Sequence, residues 1–166
     1  AYTYNEPTIW YEFTFDSAKL AKKVGLYTCY VTNGYISKEP LKEISPFLDA
    51  INIDVKAFTE DFYKKICKAR LEPVLNTCSF AKKLGIHIEL TYLVIPGYND
   101  SLKEIKDFCS WVVEKLGNNI PVHFSRFHPD YKMIDVPSTP IDSLLRIYEV
   151  AKETDILYPY IGNVPH

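Results

Sequence analysis

The sequence holds no C-x-x-C pair, no G-x-G-x-x-G run, no polybasic stripe and no long apolar stretch, and each absence excludes a class of function. Its four cysteines, Cys29, Cys67, Cys78 and Cys109, are too widely spaced for a zinc ribbon or a secreted disulfide framework, which fits a reducing cytoplasm. The 19 basic and 21 acidic residues are spread along the chain for a net charge of -2, so neither nucleic acid nor an anionic membrane surface is an expected partner. Small-molecule or protein substrates are the better match. The longest apolar stretches, such as residues 93–96 and 121–124, fall far short of the ~20 residues that span a bilayer. No signal peptide is recognisable. The chain opens at Ala1 on a run that reads as a strand end, so a preceding segment is expected.

What is present is the material of a folded domain. A chain of 166 residues with 47% hydrophobic composition can bury a real core, and its size suits one domain. Segments rich in β-branched and aromatic residues recur at 26–32, 50–56, 86–94 and 121–127, with a further candidate strand at 156–161. Helical patterns separate them. Residues 8–24 carry Ile9, Phe13, Ala18, Ala21 and Val24 before Gly25, where a helix C-cap would sit. Pro40 opens a short helix bearing Leu41, Ile44 and Leu48. Thr59 caps a helix containing Phe62 and Ile66, and another runs from about Glu72 through Val74, Leu75, Cys78 and Leu84 to Gly85. Ser101 and Glu104 have the spacing of a capping box ahead of Ile105, Phe108, Val112 and Leu116. Thr139, Pro140 and Asp142 begin a last helix through Leu144, Leu145, Tyr148 and Ala151. Alternation of strand and helix implies a parallel α/β sheet. A closed eight-stranded barrel needs roughly 200 residues or more, so an open, partial TIM-type barrel is expected.

Each strand stays apolar until its carboxyl end, then releases polar or small residues. Those ends read Tyr4-Asn5-Glu6-Pro7, Thr32-Asn33-Gly34, Asp54-Val55-Lys56, Ile95-Pro96-Gly97 and Arg126-Phe127-His128-Pro129. In a parallel sheet all such ends share one rim, so these clusters are expected to converge on one pocket. Alternatives remain open at every position. Glu6 either caps the helix that follows or accepts hydrogen bonds from a ligand ammonium. Asn33-Gly34 is also a plain turn signal. Asp54 and Lys56, two apart on a strand, face one side, as a structural ion pair or as ligand contacts. Residues 95–100 form a rigid turn whose backbone carbonyl could read an adenine edge. His128 is the best lone titratable candidate, with Arg126 and Asp130 pairing with each other or holding it. His87 and His123 are expected to be packed or solvated. Tyr4 and Tyr35 are possible ligand contacts. The cysteines read as buried structural thiols, and none is offered as a cluster ligand.

Six runs then carry a resemblance: residues 2–8 (YTYNEPT), 30–35 (YVTNGY), 52–58 (NIDVKAF), 93–100 (LVIPGYND), 125–133 (SRFHPDYKM) and 162–165 (GNVP). In this order, and over essentially the whole chain, they closely resemble the AmmeMemoRadiSam-system radical S-adenosylmethionine (SAM) proteins, relatives of pyruvate formate-lyase activating enzyme. The resemblance implies a partial β/α barrel of the radical SAM core over residues 1–166, lacking its first strand and cluster loop. It implies SAM as cofactor beside a 4Fe-4S cluster, and reductive cleavage to a 5'-deoxyadenosyl radical that abstracts hydrogen from a substrate. It also implies a flavodoxin or ferredoxin as reductant and, by analogy, a glycyl radical enzyme as protein substrate. Asn5, Glu6 and Pro7 take the place of the family's Gly-Gly-Glu-Pro motif, with Tyr4 and Asn5 for the glycines, and would hold the methionyl ammonium. Thr32 and Asn33 match a second contact at the methionyl end. Asp54 and Lys56 match the Asp-x-Lys motif near the methionyl carboxylate and ribose. Val94, Ile95, Pro96 and Gly97 match the adenine-binding turn, and His128 a residue beside the ribose.

The family's C-x-x-x-C-x-x-C loop does not occur here, so the chain by itself is expected to be inactive and the longer parent to be the enzyme. Two readings compete with it. Lys56 at a strand end could form a Schiff base, as in barrel aldolases. Otherwise the chain could be a non-catalytic module that binds SAM or a related nucleoside.

Overall fold

The computed structural model describes residues 1–164; Pro165, the last residue of the carboxyl-terminal motif, lies outside the described residues. Five strands stand in chain order in one sheet, β1 (Cys29–Thr32), β2 (Ala50–Asp54), β3 (His87–Val94), β4 (Val122–Arg126) and β5 (Pro159–Gly162). Where register is recorded the pairing is parallel. This is the parallel α/β sheet that the alternation of strand and helix implied. The chain divides into two compact units, Ala1–Asp54 with Glu72–Glu89, and Val55–Leu71 with residues 90–164.

In the first unit, Tyr2 makes a parallel bridge to Tyr30, donating its N–H to the Cys29 carbonyl (2.8 Å) and accepting from Val31 N–H (2.9 Å). The expected strand end at the start of the chain is therefore paired. On β1 and β2, Tyr30, Thr32, Ile51 and Ile53 are buried while Cys29, Val31, Asn52 and Asp54 are half-exposed, the two-residue alternation of a sheet covered on one face. A 3-10 turn (Pro7–Trp10) leads into α1 (Tyr11–Lys23), which covers that face through a hydrogen bond between Thr14 and Tyr30. The buried side of α1 is Thr14 and Ala18, whereas Ile9, Phe13 and Val24 are largely exposed. Apolar spacing thus finds Ala18 but misses Thr14, a small hydroxyl that takes a core position because it has a buried partner. The short helix α2 (Lys38–Ile44) begins two residues before Pro40. Helix α4 (Leu71–Lys83) buries Val74, Thr77, Cys78 and Ala81.

In the second unit, α3 (Glu60–Phe62) starts from Thr59, whose hydroxyl accepts from Phe62 N–H as expected, and widens into a π-helical turn, Tyr63–Cys67. Helix α5 (Leu102–Trp111) likewise continues as a π-helical turn, Val112–Leu116, and buries the expected Ile105, Phe108, Val112 and Leu116. Of these, Phe108 packs on Tyr92, which in turn packs on Phe124 of the sheet. Ser101 makes no side-chain cap bond, and Glu104 does not reach back to it. Its carboxylate accepts instead from Phe58 N–H (2.6 Å) and from the buried Tyr92 hydroxyl (2.8 Å), which also lies within reach of the Asn99 carbonyl (2.9 Å). Helix α6 (Ile141–Glu153) buries Leu144, Ile147 and Ala151, leaving Leu145 at the surface. No helix among the described residues is long and apolar enough to cross a membrane.

Candidate functional site

Each unit carries its own share of the residues singled out in the sequence. In the first, Glu6 is both cap and anchor. Its Oε1 accepts from Thr8 N–H (3.2 Å), Thr8 Oγ1 (2.8 Å) and Thr32 Oγ1 (2.6 Å), while Oε2 accepts from Asn33 N–H (2.8 Å). Oε1 is crowded and Oε2 holds a single donor, so Oε2 is the atom with capacity for a further N–H. Thr32 is buried; its hydroxyl donates to Glu6 and accepts from Gly34 N–H (3.1 Å). Asn33 Oδ1 accepts from Tyr35 N–H (2.8 Å), closing the turn. Thr32 and Asn33 therefore aim the carboxylate. Pro7 is buried and starts the turn that Glu6 caps. Tyr4 keeps a left-handed backbone, φ 70°, with its ring fully exposed. The conformation suited to glycine thus persists where the sequence has replaced it, and Asn5 N–H closes back on the Thr3 carbonyl (3.0 Å). Asp54 ends β2 on the half-exposed face, beside Asn52.

In the second unit Lys56 has both backbone groups tied. Its N–H donates to the buried Tyr63 hydroxyl (3.1 Å) and its carbonyl accepts from Asn99 Nδ2 (2.7 Å). Asn99 is 1% exposed; Nδ2 also donates to the Leu93 carbonyl (2.9 Å), and Oδ1 accepts from Ile95 N–H (2.7 Å). Thr139 is fully buried and plays a similar part. Its hydroxyl donates to the Val94 carbonyl (2.6 Å) and accepts from Phe127 N–H (2.9 Å). Asn163, with φ 59°, donates from Nδ2 to the Arg126 carbonyl (2.9 Å). Neither Asn99 nor Thr139 stands out in the sequence, because turn and helix-start chemistry accounts for both. Only the long-range partners, 43 and 45 residues away, reveal the role.

Three details refine the turn and the strand end. The carbonyls of Leu93, Val94 and Ile95 already accept from Asn99, Thr139 and Tyr98, and Val94 and Ile95 are buried. The surface of the turn is therefore Pro96 and Gly97, where φ is 75° and Gly97 N–H donates to Asp100 Oδ1 (2.9 Å). Arg126 does not pair with Asp130: its Nε donates to the Thr139 carbonyl (2.9 Å), while Asp130 accepts from Tyr131 N–H (2.7 Å). His128 is exposed at the end of this segment. His87 lies at the start of β3 beside Glu89 (3.4 Å), and His123 stacks on Tyr160 with centroids 5.1 Å apart.

The donor set distinguishes the two cofactors that the sequence implies. In the first unit, Glu6 Oε2 has the acceptor capacity that the ammonium of an amino-acid group such as that of SAM requires. The residues present do not fit an iron-sulfur cluster. Burial raises the Cys78 thiol to about 12 and the Cys109 thiol to about 11, and it also pushes Cys29 and Cys67 upward. Cluster ligation needs thiolates brought together. No group of three or more His, Cys, Asp or Glu side chains suited to a metal ion exists among the described residues.

Comparison with known proteins identifies the family. Residues 1–109 match the model of the Radical SAM superfamily. An uncharacterized protein of Methanocaldococcus jannaschii is 52% identical over 165 residues, 99% of this chain and 49% of that protein. The pyruvate formate-lyase-activating enzyme of Clostridium pasteurianum is 24% identical over 153 residues, 86% of this chain and 63% of that enzyme. A crystal structure of a domain of pyruvate-formate lyase-activating enzyme from Bacteroides vulgatus superposes with a TM-score of 0.85 at 17% identity, covering 98% of this chain and 97% of that one. The chain spans about half the length of the first of these relatives. With its model matched over most of the sequence, and on a sheet of the same fold, the chain belongs to the Radical SAM superfamily.

Proposed function

We propose that this chain is the SAM-binding part of a radical SAM enzyme of the AmmeMemoRadiSam type, related to the activating enzymes of glycyl radical enzymes. The observation that carries the reading is Glu6: four hydrogen bonds fix its carboxylate and leave acceptor capacity on Oε2. Asn5, Glu6, Pro7, Thr32, Asn33 and Asp54 are assigned to the methionyl group. Glu6 takes the ammonium, while Thr32 and Asn33 hold Glu6 in place. Lys56, the turn from Val94 to Gly97, and His128 are assigned to the carboxylate, adenine and ribose. Reductive cleavage of SAM needs an electron that the four described cysteines are not arranged to deliver, so cleavage is not assigned to residues of this chain.

For the whole protein we propose a cytoplasmic enzyme that draws electrons from a flavodoxin or ferredoxin and acts on a protein of the glycyl radical class. The names of the pyruvate formate-lyase-activating relatives support that substrate class. The binding reading is tested by titration calorimetry of this chain with SAM. Saturable binding is expected, and Glu6→Ala or Asp54→Ala should each weaken it by about tenfold or more, as expected for loss of a hydrogen bond to a charged group. Saturable binding that neither substitution weakens would overturn the assignment of those residues.

A further inference from the structure

We infer that Asn99 is a positioning residue that couples the Lys56 strand end to the Ile95-Pro96-Gly97 turn, so that the two ends of one ligand meet a single prearranged surface. The inference rests on the SAM reading above and adds a residue to it.

The chemistry of the amide is the reason. Nδ2 uses both protons, on the Lys56 carbonyl (2.7 Å) and the Leu93 carbonyl (2.9 Å), and Oδ1 accepts from Ile95 N–H (2.7 Å). One planar group therefore fixes three backbone positions on two segments more than thirty residues apart. Its own main chain is held as well: Asn99 N–H donates to the Ile95 carbonyl (3.3 Å), and its carbonyl accepts from the Tyr92 hydroxyl (2.9 Å). No other side chain of this size offers two donors and one acceptor in that geometry. A carboxylate would face both carbonyls with acceptors, and serine is too short to reach three partners.

A fully hydrogen-bonded buried amide adds little stability over a well-packed apolar residue, because the bonds it makes replace bonds to water. Geometry is what it supplies. Lys56 leaves the backbone from a residue whose N–H and carbonyl are both anchored, to Tyr63 and Asn99. The adjoining turn is anchored through the same amide. If the two moved independently, a ligand touching both would have to order them on binding and would lose affinity accordingly.

Asn99→Asp keeps the shape and the bond from Ile95 N–H but removes both donated bonds. Asn99→Ser is a milder second variant in case the first does not fold. Each is titrated with SAM and, separately, with adenosine, alongside Leu116→Ala, a core substitution in the same unit at a residue that makes none of the Asn99 side-chain hydrogen bonds. Loss of coupling is expected to weaken SAM by about tenfold or more and adenosine by less than about threefold, since only SAM engages both elements. Leu116→Ala should show no such split. The amides of Gly97 and Lys56, one in the turn and one at the strand end and neither bonded to the Asn99 side chain, should also exchange hydrogen faster together in the Asn99 variants. Unchanged SAM affinity, or equal losses for both ligands matched by Leu116→Ala, would overturn the inference while leaving the SAM reading intact. Absence of SAM binding by the unaltered chain would remove that reading, and this inference with it.

Discussion

Gly34 shows how a single residue serves backbone, packing and site at once. Its φ is 74°, and a Cβ placed on it would lie 2.7 Å from Ile53 Cγ2 and 3.1 Å from Val74 Cγ1. Its N–H also donates to Thr32 Oγ1, which in turn donates to Glu6. Gly25 has a nearly equal φ of 77° but open space around it, so the pair separates backbone strain from crowding. Gly25→Ala should cost about 1 kcal/mol, the penalty for a side chain in the left-handed region. Gly34→Ala adds overpacking against a β-branched neighbour and should cost roughly 2–4 kcal/mol in all. Denaturant unfolding of the two variants checks this. Equal midpoints would mean that the contacts at Gly34 are relieved by small shifts.

At the scale of elements, strands were the most legible part of the sequence and helix faces the least. Alternating β-branched and aromatic residues located every strand core, although the strands are shorter than the apolar runs; the segment at 26–32, for example, is paired as β1 only over Cys29–Thr32. The strand ends were legible as polar clusters. The side chains that brace them, Asn99 and Thr139, were not, because short-range rules explain a turn asparagine and a helix-start threonine without reference to distant partners. Helix α1 misled in part for the converse reason: Ala18 is buried as expected, but Phe13 lies outward while Thr14 bonds inward to Tyr30. The start of α5 offers a direct test of local against long-range chemistry. Were Ser101 and Glu104 a capping box, Ser101→Ala would cost about 1 kcal/mol. Since Ser101 makes no cap bond and Glu104 serves Phe58 N–H and the Tyr92 hydroxyl, Ser101→Ala should change stability by less than about 0.5 kcal/mol. Glu104→Ala, which leaves Phe58 N–H without its acceptor and the Tyr92 hydroxyl with only the Asn99 carbonyl, should cost about 2 kcal/mol. Thermal melts of both variants decide, and a reversed order would restore the local reading.

For the molecule as a whole, SAM binding and SAM cleavage are separable demands. Binding is proposed to draw on a strand-end carboxylate, a lysine and a turn. Cleavage in this superfamily draws on a cluster held by neighbouring thiolates. Here Cys78 and Cys109 are buried, with thiols raised to about 12 and about 11, so at neutral pH they are protonated and shielded. Cys29 and Cys67 are only half-buried, but burial lifts them too, and neither belongs to a metal-binding group among the described residues. This chain, incubated anaerobically with iron and sulfide and then desalted, is therefore expected to retain no stoichiometric iron and to form no 5'-deoxyadenosine or methionine from SAM under a strong reductant, while still binding SAM in calorimetry. A longer form carrying three cysteines at C-x-x-x-C-x-x-C spacing is expected to do all three. Stoichiometric iron and sulfide on the present chain would show that its own thiols can be drawn together, and the assignment of binding without cleavage would have to be given up.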